Sequence, residues 1–367
     1  MEKLGVYVHI PFCIKKCNYC DFFSVADLEL VDRYVGELAE EIKRFDSADH
    51  MVDTLFFGGG TPSVLSAEQL EKIMAALRNK FKMDENAEIT IEVNPATNAN
   101  FKELESMGFN RVSFGVQSAN NNELETLGRL HTFEQFMGEF DVARKYFNNI
   151  NLDLIYGIPG QTLASWQRTL WAIGKLNPQH ISAYSLIIEP GTPFFDMNLD
   201  LPSEQDVCRM YAMIKEILPA YNQYEVSNYA LPGFPCRHNL KYWSMEEYVG
   251  FGANSHSFVT KNEKRKTKNY CGVALQPFDD IMGYRLENSK DILDWKQEKN
   301  EVDYLSEYMF LGLRKTEGIE ILPEIIERFG EAIEKHIKNG MLIKEDNRLR
   351  FTPRSIEISN YILADFV

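Results

Sequence analysis

Six short apolar runs, each parted from the next by a stretch of helical periodicity, occupy the chain from residue 5 to residue 188. The runs are GVYVHI (5–10), TLFFG (54–58), EITIEV (88–93), RVSFGV (111–116), INLDLIYG (150–157) and HISAYSLII (180–188). The helical stretches are 29–45, 66–81, 133–147, 163–176 and 203–218. Ser66, with Gln69 three positions on, reads as a capping box that opens one of them. Alternation of this kind builds a parallel sheet, because a helix in a right-handed crossover returns the chain to a neighbouring parallel strand. The expectation is an α/β fold, a partial (β/α)6 barrel, with a doubly wound open sheet as the other arrangement. Either one puts ligand-binding side chains at the C-terminal ends of the strands.

The pattern changes near residue 225. Residues 226–289 are rich in aromatic and turn residues without clear period, and form a connecting region between a barrel over 1–225 and a third unit over 290–367. That last unit reads as helices followed by the hairpin LIKEDNRLRFT (342–352) and a final helix, a mainly helical, winged-helix-like domain. The 367 residues suffice for several domains with a sizeable core. Thirty-nine basic against 54 acidic side chains give a net charge of −15, which argues against a nucleic-acid partner held through phosphates. The one basic run, TKNEKRKTKN (260–269), reads as a solvated loop. No signal peptide and no membrane span is expected. Six cysteines, three of them scattered, do not make a secreted disulfide framework, so the expected setting is the cytoplasm with reduced thiols.

The other three cysteines crowd the segment after the first strand. HIPFCIKKCNYCDFF (9–23) carries Cys13, Cys17 and Cys20 as C-x3-C-x2-C, with Phe22 where a fourth thiol would continue the rhythm. Structural zinc takes four ligands, usually as two separated pairs, and Cys208, Cys236 and Cys271 lie far away and unpaired. Iron–sulfur clusters also usually take four cysteines. Three thiolates on a [4Fe–4S] cluster leave one iron open to a substrate or cofactor. The spacing favours a cluster over zinc, and an unmetallated buried trio is the plain alternative. Polar residues gather where strand ends are expected: the glycines of FFGGGTP (56–62), Glu92, Gln117 and Asp153, with Arg129 on the helix after the fourth strand and Tyr7 on the first strand. Each alone reads as a cap or a satisfied core group, but several on one rim point to a site.

C-x3-C-x2-C on the loop after the first strand, with Tyr19 before Cys20, resembles the radical S-adenosylmethionine (SAM) superfamily. The resemblance implies a [4Fe–4S] cluster whose open iron chelates the amino and carboxylate groups of SAM, and whose electron cleaves SAM to methionine and a 5′-deoxyadenosyl radical. It makes Tyr7, Gly59, Gly60, Thr61, Glu92, Gln117, Arg129 and Asp153 the candidate SAM residues. Glu92 suits the cationic end, Arg129 the carboxylate through its fork geometry, and Gln117 and Asp153 the ribose hydroxyls.

YVHIPFC (7–13), GGGTPS (58–63), FGVQS (114–118), RLH (129–131) and DLIYGIPGQT (153–162) narrow the likeness to the group around oxygen-independent coproporphyrinogen III oxidase, HemN. That enzyme decarboxylates two porphyrinogen propionates to vinyls. Here Phe22 replaces a further cysteine of HemN proteins, and only twelve residues precede Cys13. HNLKYW (238–243) matches the H-N-x-x-Y-W motif of the HemW family of heme chaperones. The resemblance therefore implies heme as cargo and heme-accepting apoproteins, such as respiratory cytochromes, as partners, with an electron donor for the cluster. His238, Asn239, Tyr242 and Trp243 become the heme candidates: an imidazole can ligate iron and aromatic rings can face a porphyrin. Arg237 and Lys241 are candidates for the propionates. Cys236 is a further soft-ligand candidate, His9, inside the YVHIPFC match, reads as cluster-side or structural, and His256 stays ambiguous. Two other readings stand beside the chaperone: a coproporphyrinogen III dehydrogenase, and a radical SAM enzyme of unrelated substrate in which HNLKYW is structural.

Overall fold

The computed structural model describes residues 2–45, 50–260, 267–271, 296–298 and 301–367. The element order is β1 (Glu2–Ile10), α1 (Val31–Arg44), β2 (His50–Gly59), α2 (Ala67–Lys80), β3 (Lys82–Val93), α3 (Phe101–Ser106), β4 (Arg111–Gln117), α4 (Asn121–Thr126), α5 (Phe133–Ala143), β5 (Ile150–Tyr156), α6 (Leu163–Leu176), β6 (His180–Ser185) and α7 (Glu204–Ile217). All five helical stretches and all six strands expected from the sequence are present. α3 and α4, six residues each, carry too few turns to leave a period in the sequence. α2 has the expected capping box, Gln69 N donating to Ser66 Oγ at 3.2 Å and Ser66 N to Gln69 Oε1 at 2.8 Å.

β1 through β6 lie in sequence order, each parallel to the next, so every crossover runs through a helix. The sheet does not close; it is an open arc. β7 (Asn222–Gln223) and β8 (Asn228–Ala230) extend it antiparallel beyond β6. After α8 (Arg237–Trp243), β9 (Tyr248–Phe251) pairs parallel with β1, and β10 (His256–Thr260), β11 (Thr267–Cys271) and β12 (Lys296–Glu298) continue past it. The connecting region thus adds strands to both edges of the barrel sheet, which its composition did not reveal. Residues 261–266 of the basic run and all of 272–295 lie outside the described residues. α9 (Glu301–Gly312), β13 (Ile319–Glu320), α10 (Pro323–Lys338), the hairpin β14 (Leu342–Glu345) and β15 (Arg348–Phe351), and α11 (Ser359–Leu363) complete the chain around a small sheet ordered β13-β15-β14.

The core follows from strand alternation. Val6, Val8 and Ile10 of β1, Val112, Phe114 and Val116 of β4, and Leu152 and Leu154 of β5 are fully buried against the helical layer. α1 meets them with Val31, Tyr34, Val35, Leu38 and Ile42, one stripe at helical spacing. Each such side chain, buried, contributes about 1.5–3 kcal/mol. The residues between them point into the concave face of the arc, where the chemistry lies.

Candidate metal centre

The concave face is polar. Gly5, Tyr7 and His9 of β1 alternate with the apolar set, as do Glu88, Thr90 and Glu92 of β3, Arg111, Ser113 and Gly115 of β4, Asn151 and Asp153 of β5, and His180 and Ser182 of β6. A strand with helices on one side and a lumen on the other must alternate in this way. A hydrogen-bonded floor results. Asn151 Nδ2 donates to Ser113 Oγ at 2.7 Å and to Asp153 Oδ1 at 2.8 Å, Ser113 Oγ to Asp153 Oδ2 at 3.1 Å, and Ser182 Oγ to Asn151 Oδ1 at 3.1 Å. The His180 ring lies 2.5 Å from Asn151 Oδ1 and 2.8 Å from the Tyr224 hydroxyl.

Cys13, Cys17 and Cys20 sit on the loop from β1 to α1, at the C-terminal rim, half-buried. Cys13 N donates to Val25 O, and the loop is pinned across the rim by Asn18, whose backbone N donates to Leu127 O at 3.0 Å and whose side chain donates to Thr126 O at 3.0 Å. Two sulfurs already accept hydrogen bonds: Thr61 Oγ1 donates to Cys13 Sγ at 3.5 Å and Arg129 Nη1 to Cys17 Sγ at 3.4 Å. Burial, with the neighbouring cysteines adding to it, pushes the Cys20 thiol up to about 11, so loading a metal here has to release that proton. The sole triple of described His, Cys, Asp and Glu residues whose ligand atoms lie within 4.8 Å of one another is Glu2, His50 and Glu247, away from this loop. Three half-buried thiols on one loop supply three soft ligands, and no fourth cysteine of the loop completes a set. The donor set fits a [4Fe–4S] cluster with one iron lacking a protein ligand.

The rim around this loop holds the candidate SAM residues. Gly59 adopts φ +114°, and a Cβ there would come 2.5 Å from the His9 ring; a Cβ on Gly60 would come 2.7 Å from Phe12 O. The GGG segment is therefore a cradle only glycine can form. Its Gly59 N–H donates to Glu92 Oε2 at 3.1 Å. Burial, and then the nearby Asp153 carboxylate, raise Glu92 to about 8; Asp153 is also raised, chiefly by burial. Two carboxyls in one desolvated lumen are poised for a cation. Gln117, the last residue of β4, has φ +67°, a left-handed conformation uncommon for a side-chain-bearing residue and concentrated at functional sites. Arg129 lies not on a helix, as expected, but in the loop beyond α4, which ends at Thr126. It reaches back across Gly115, donating from Nη2 to Gly115 O at 2.6 Å, where a glycine leaves the room. Its buried Nε has no partner, an open donor beside the cysteine loop that suits a carboxylate.

HNLKYW forms α8, and its place is the lower lumen, toward the N-terminal ends of β2 to β4. Glu88 of β3 caps it, accepting from Arg237 N at 3.1 Å, His238 N at 3.0 Å and the Cys236 thiol at 3.5 Å. The His238 ring is 1% exposed. Its Nδ1 lies 2.9 Å from the Thr54 hydroxyl and its Nε2 2.8 Å from the Tyr242 hydroxyl, and burial depresses it to about 3. Both nitrogens of a neutral imidazole are therefore engaged, and neither is free for iron in this conformation. The cations expected at propionates are committed too. Lys241 is buried, 3.0 Å from Asp53 Oδ1 and 2.9 Å from Glu246 Oε2, and Arg237 donates to Asn86 O and Asp53 O. Asn239 is half-buried, Trp243 lies under the Arg314 guanidinium at 5.6 Å, and His256 is exposed on β10. Lone residues gave no hint of this, because the partners, Thr54, Glu88 and Asp53, are 150 to 184 positions away from His238 or 184 from Arg237. His9, read from the sequence as cluster-side or structural, packs beside the segment that follows Cys20. Its Nε2 lies 2.9 Å from Phe23 O, which can only accept, so Nε2 carries the proton and Nδ1 accepts from the Tyr7 hydroxyl at 3.2 Å.

The profile of the radical SAM superfamily matches residues 7–170, and that of the HemN C-terminal domain matches residues 300–357. The fold and the matched segment are those of a radical SAM protein. The chain is 34% identical to heme chaperone HemW of Lactococcus lactis, over 99% of its own length and 97% of the relative's. It is 36% identical to heme chaperone HemW of Escherichia coli, over 80% of this chain and 79% of that one. The chain belongs to the HemW family. The Escherichia coli coproporphyrinogen III oxidase HemN, a radical SAM enzyme, has the same fold: it superposes with a TM-score of 0.81 at 23% identity, covering 100% of this chain and 90% of that chain. No helix among the described residues is long and apolar enough to cross a membrane.

Proposed function

We propose that this protein binds heme and delivers it to apoproteins, among them respiratory cytochromes, from the cytoplasm. The observation that carries the reading is its likeness, over 99% of its length, to a relative named heme chaperone. Cys13, Cys17 and Cys20 would hold a [4Fe–4S] cluster and leave one iron for SAM. Glu92 and the Gly59–Gly60–Thr61 cradle would take the amino group, Arg129 Nε and Nη1 the carboxylate, and Gln117 and Asp153 the ribose, with Tyr7 near Glu92. When bound, the pair supplies one-electron reductive cleavage of SAM, fed by an electron donor. The chain's own part is to orient SAM, keep its charged end dry and neutralise it.

His238, Asn239, Tyr242 and Trp243 are the heme candidates. Ligation through His238 requires its imidazole to part from Thr54 or Tyr242. Two assays on anaerobically reconstituted protein test the reading. In the first, heme is titrated and followed by its absorption spectrum. One heme per chain, with an altered spectrum in His238→Ala, supports it; no binding by the wild type sinks it. In the second, coproporphyrinogen III is supplied with SAM and reductant, and appearance of decarboxylated product would make the protein an enzyme instead. Arg129→Ala is expected to keep the cluster and lose SAM affinity by tenfold or more, on the order of a charge-assisted hydrogen-bonded pair. Unchanged SAM binding would remove Arg129 from the site.

A further inference from the structure

We propose that His238 is a positioning residue of the SAM site, acting in the heme-free protein from the lower lumen through Tyr7 and His9. The inference rests on the SAM site described above and not on heme. The path is continuous. The His238 ring stacks on Phe56, centroids 5.3 Å apart at 24°, and on Tyr7, 6.4 Å apart at 26°; Tyr7 and Phe56 stack at 6.2 Å and 25°. Three nearly parallel rings from β1, β2 and α8 thus fill one level of the lumen. The imidazole is fixed in its plane by hydroxyls at both ends, Thr54 at 2.9 Å and Tyr242 at 2.8 Å, so the stack has one arrangement.

Tyr7 transmits it upward. Its hydroxyl donates to His9 Nδ1 at 3.2 Å, and His9 Nε2 donates at 2.9 Å to Phe23 O, on the segment that follows the last cluster cysteine. The same His9 ring packs where Gly59 has no side chain. Tyr7 also flanks Glu92: a Cβ on Gly58 would lie 3.1 Å from both Tyr7 Cε2 and Glu92 Oε2. Tyr7 therefore lies beside Gly58, near enough to Glu92 to feel its charge, and reaches the segment after the cysteine loop through His9. Below Tyr7 on β1, Gly5 carries no side chain, and its place is filled by Lys241, Thr54 and Tyr248, of which Thr54 bonds the His238 ring and Tyr248 adjoins Tyr242, which also holds that ring. Deleting the imidazole leaves a space into which Tyr7 and Phe56 tip, and Glu92 and His9 lose their alignment.

The test uses the full chain, cluster reconstituted and no heme present. SAM binding is read by isothermal titration and by the change that SAM makes in the electron paramagnetic resonance signal of the reduced cluster. His238→Ala is expected to hold wild-type iron and sulfide and to bind SAM about fivefold more weakly, the effect of misaligning one ordinary hydrogen bond. His238→Gln, which can still bond Thr54 and Tyr242 and lie flat against Phe56, is expected to restore most of the affinity. Tyr7→Phe, which keeps the ring but frees His9, is expected to weaken SAM binding similarly. Wild-type SAM affinity and an unaltered signal in His238→Ala would overturn the proposal. If that variant does not fold, Tyr242→Phe removes one hydroxyl from the imidazole and takes its place, and wild-type affinity there overturns it equally. Heme plays no part in these readouts, so absence of heme binding by the wild type would defeat the chaperone reading and leave this one standing.

Discussion

Glu92 is held mostly protonated at neutral pH because it is buried beside Asp153, a cost that the Gly59 N–H and the Arg111 charge offset only in part. The amino group of SAM that chelates iron has to be neutral, and the hydrogen bonds it donates favour the Glu92 carboxylate, so SAM binding expels a proton from Glu92. Affinity for SAM is therefore expected to rise as pH climbs from 6.5 toward 8, and to level off above. Titration calorimetry across that range checks it, with Glu92→Gln expected to make the slope shallower; a flat wild-type profile refutes the assignment. The stability sign is opposite. A carboxyl whose pKa is raised on folding stabilises the fold fully below its ordinary value of 4.5, and that contribution fades as pH rises through about 8. His238 runs the other way: depressed to about 3, it favours the fold above its ordinary 6.5 and costs stability as pH falls from there toward 3. Which residue types ring the rim was legible in the sequence. Their protonation was not, since it depends on distances between side chains on different strands.

The glycine loop, the cysteine loop and α8 are the elements that make the proposed site, and the first is the most constrained. Gly59→Ala forces φ +114° on a side-chain-bearing residue and drives a methyl into the His9 ring. It is expected to cost about 1–3 kcal/mol and to abolish SAM binding. Gly36, in the middle of α1, is the control: a Cβ there meets only Lys72 Nζ at 3.6 Å, so Gly36→Ala is expected to stabilise by about 0.5–1 kcal/mol. Thermal melts of the two variants test the contrast, and equal behaviour would discard the cradle argument. The two loops were legible because their chemistry is local: three thiols within eight positions, and three glycines in a row. HNLKYW was legible as a motif but not as a helix that buries His238 and Lys241. An imidazole among aromatics looks the same whether it faces a porphyrin or a barrel floor.

At the scale of the whole molecule, the barrel and the C-terminal unit meet beside α8. Thr316 N donates to Tyr224 O at 3.0 Å and its hydroxyl to Gln223 O at 3.0 Å, while Lys315 Nζ donates to Ser244 Oγ at 3.1 Å. Arg314 lies 5.6 Å over Trp243 and 4.6 Å over Phe310, joining the motif to α9. Arg314→Ala is expected to remove about 1 kcal/mol from this junction and to lower the melting temperature by a few degrees. A calorimetric trace identical to wild type would show that the contact carries no load. The order of strands was legible from strand–helix alternation. The added strands on both edges were not, because β7, β8 and β9 are two to four residues long and carry no period of their own.

By itself the sequence determined the α/β alternation, the three-thiol loop and the glycine cradle. It could do so because each is set by neighbours in the chain, through strand periodicity, ligand spacing and the conformational freedom of glycine. The tertiary structure alone decided that His238 and Lys241 are spoken for, that Arg129 keeps a free Nε at the rim, and that Glu92 and Asp153 share one dry lumen. Those facts rest on burial and on partners far along the chain, and a low-dielectric interior makes the distance between two side chains matter more than their types.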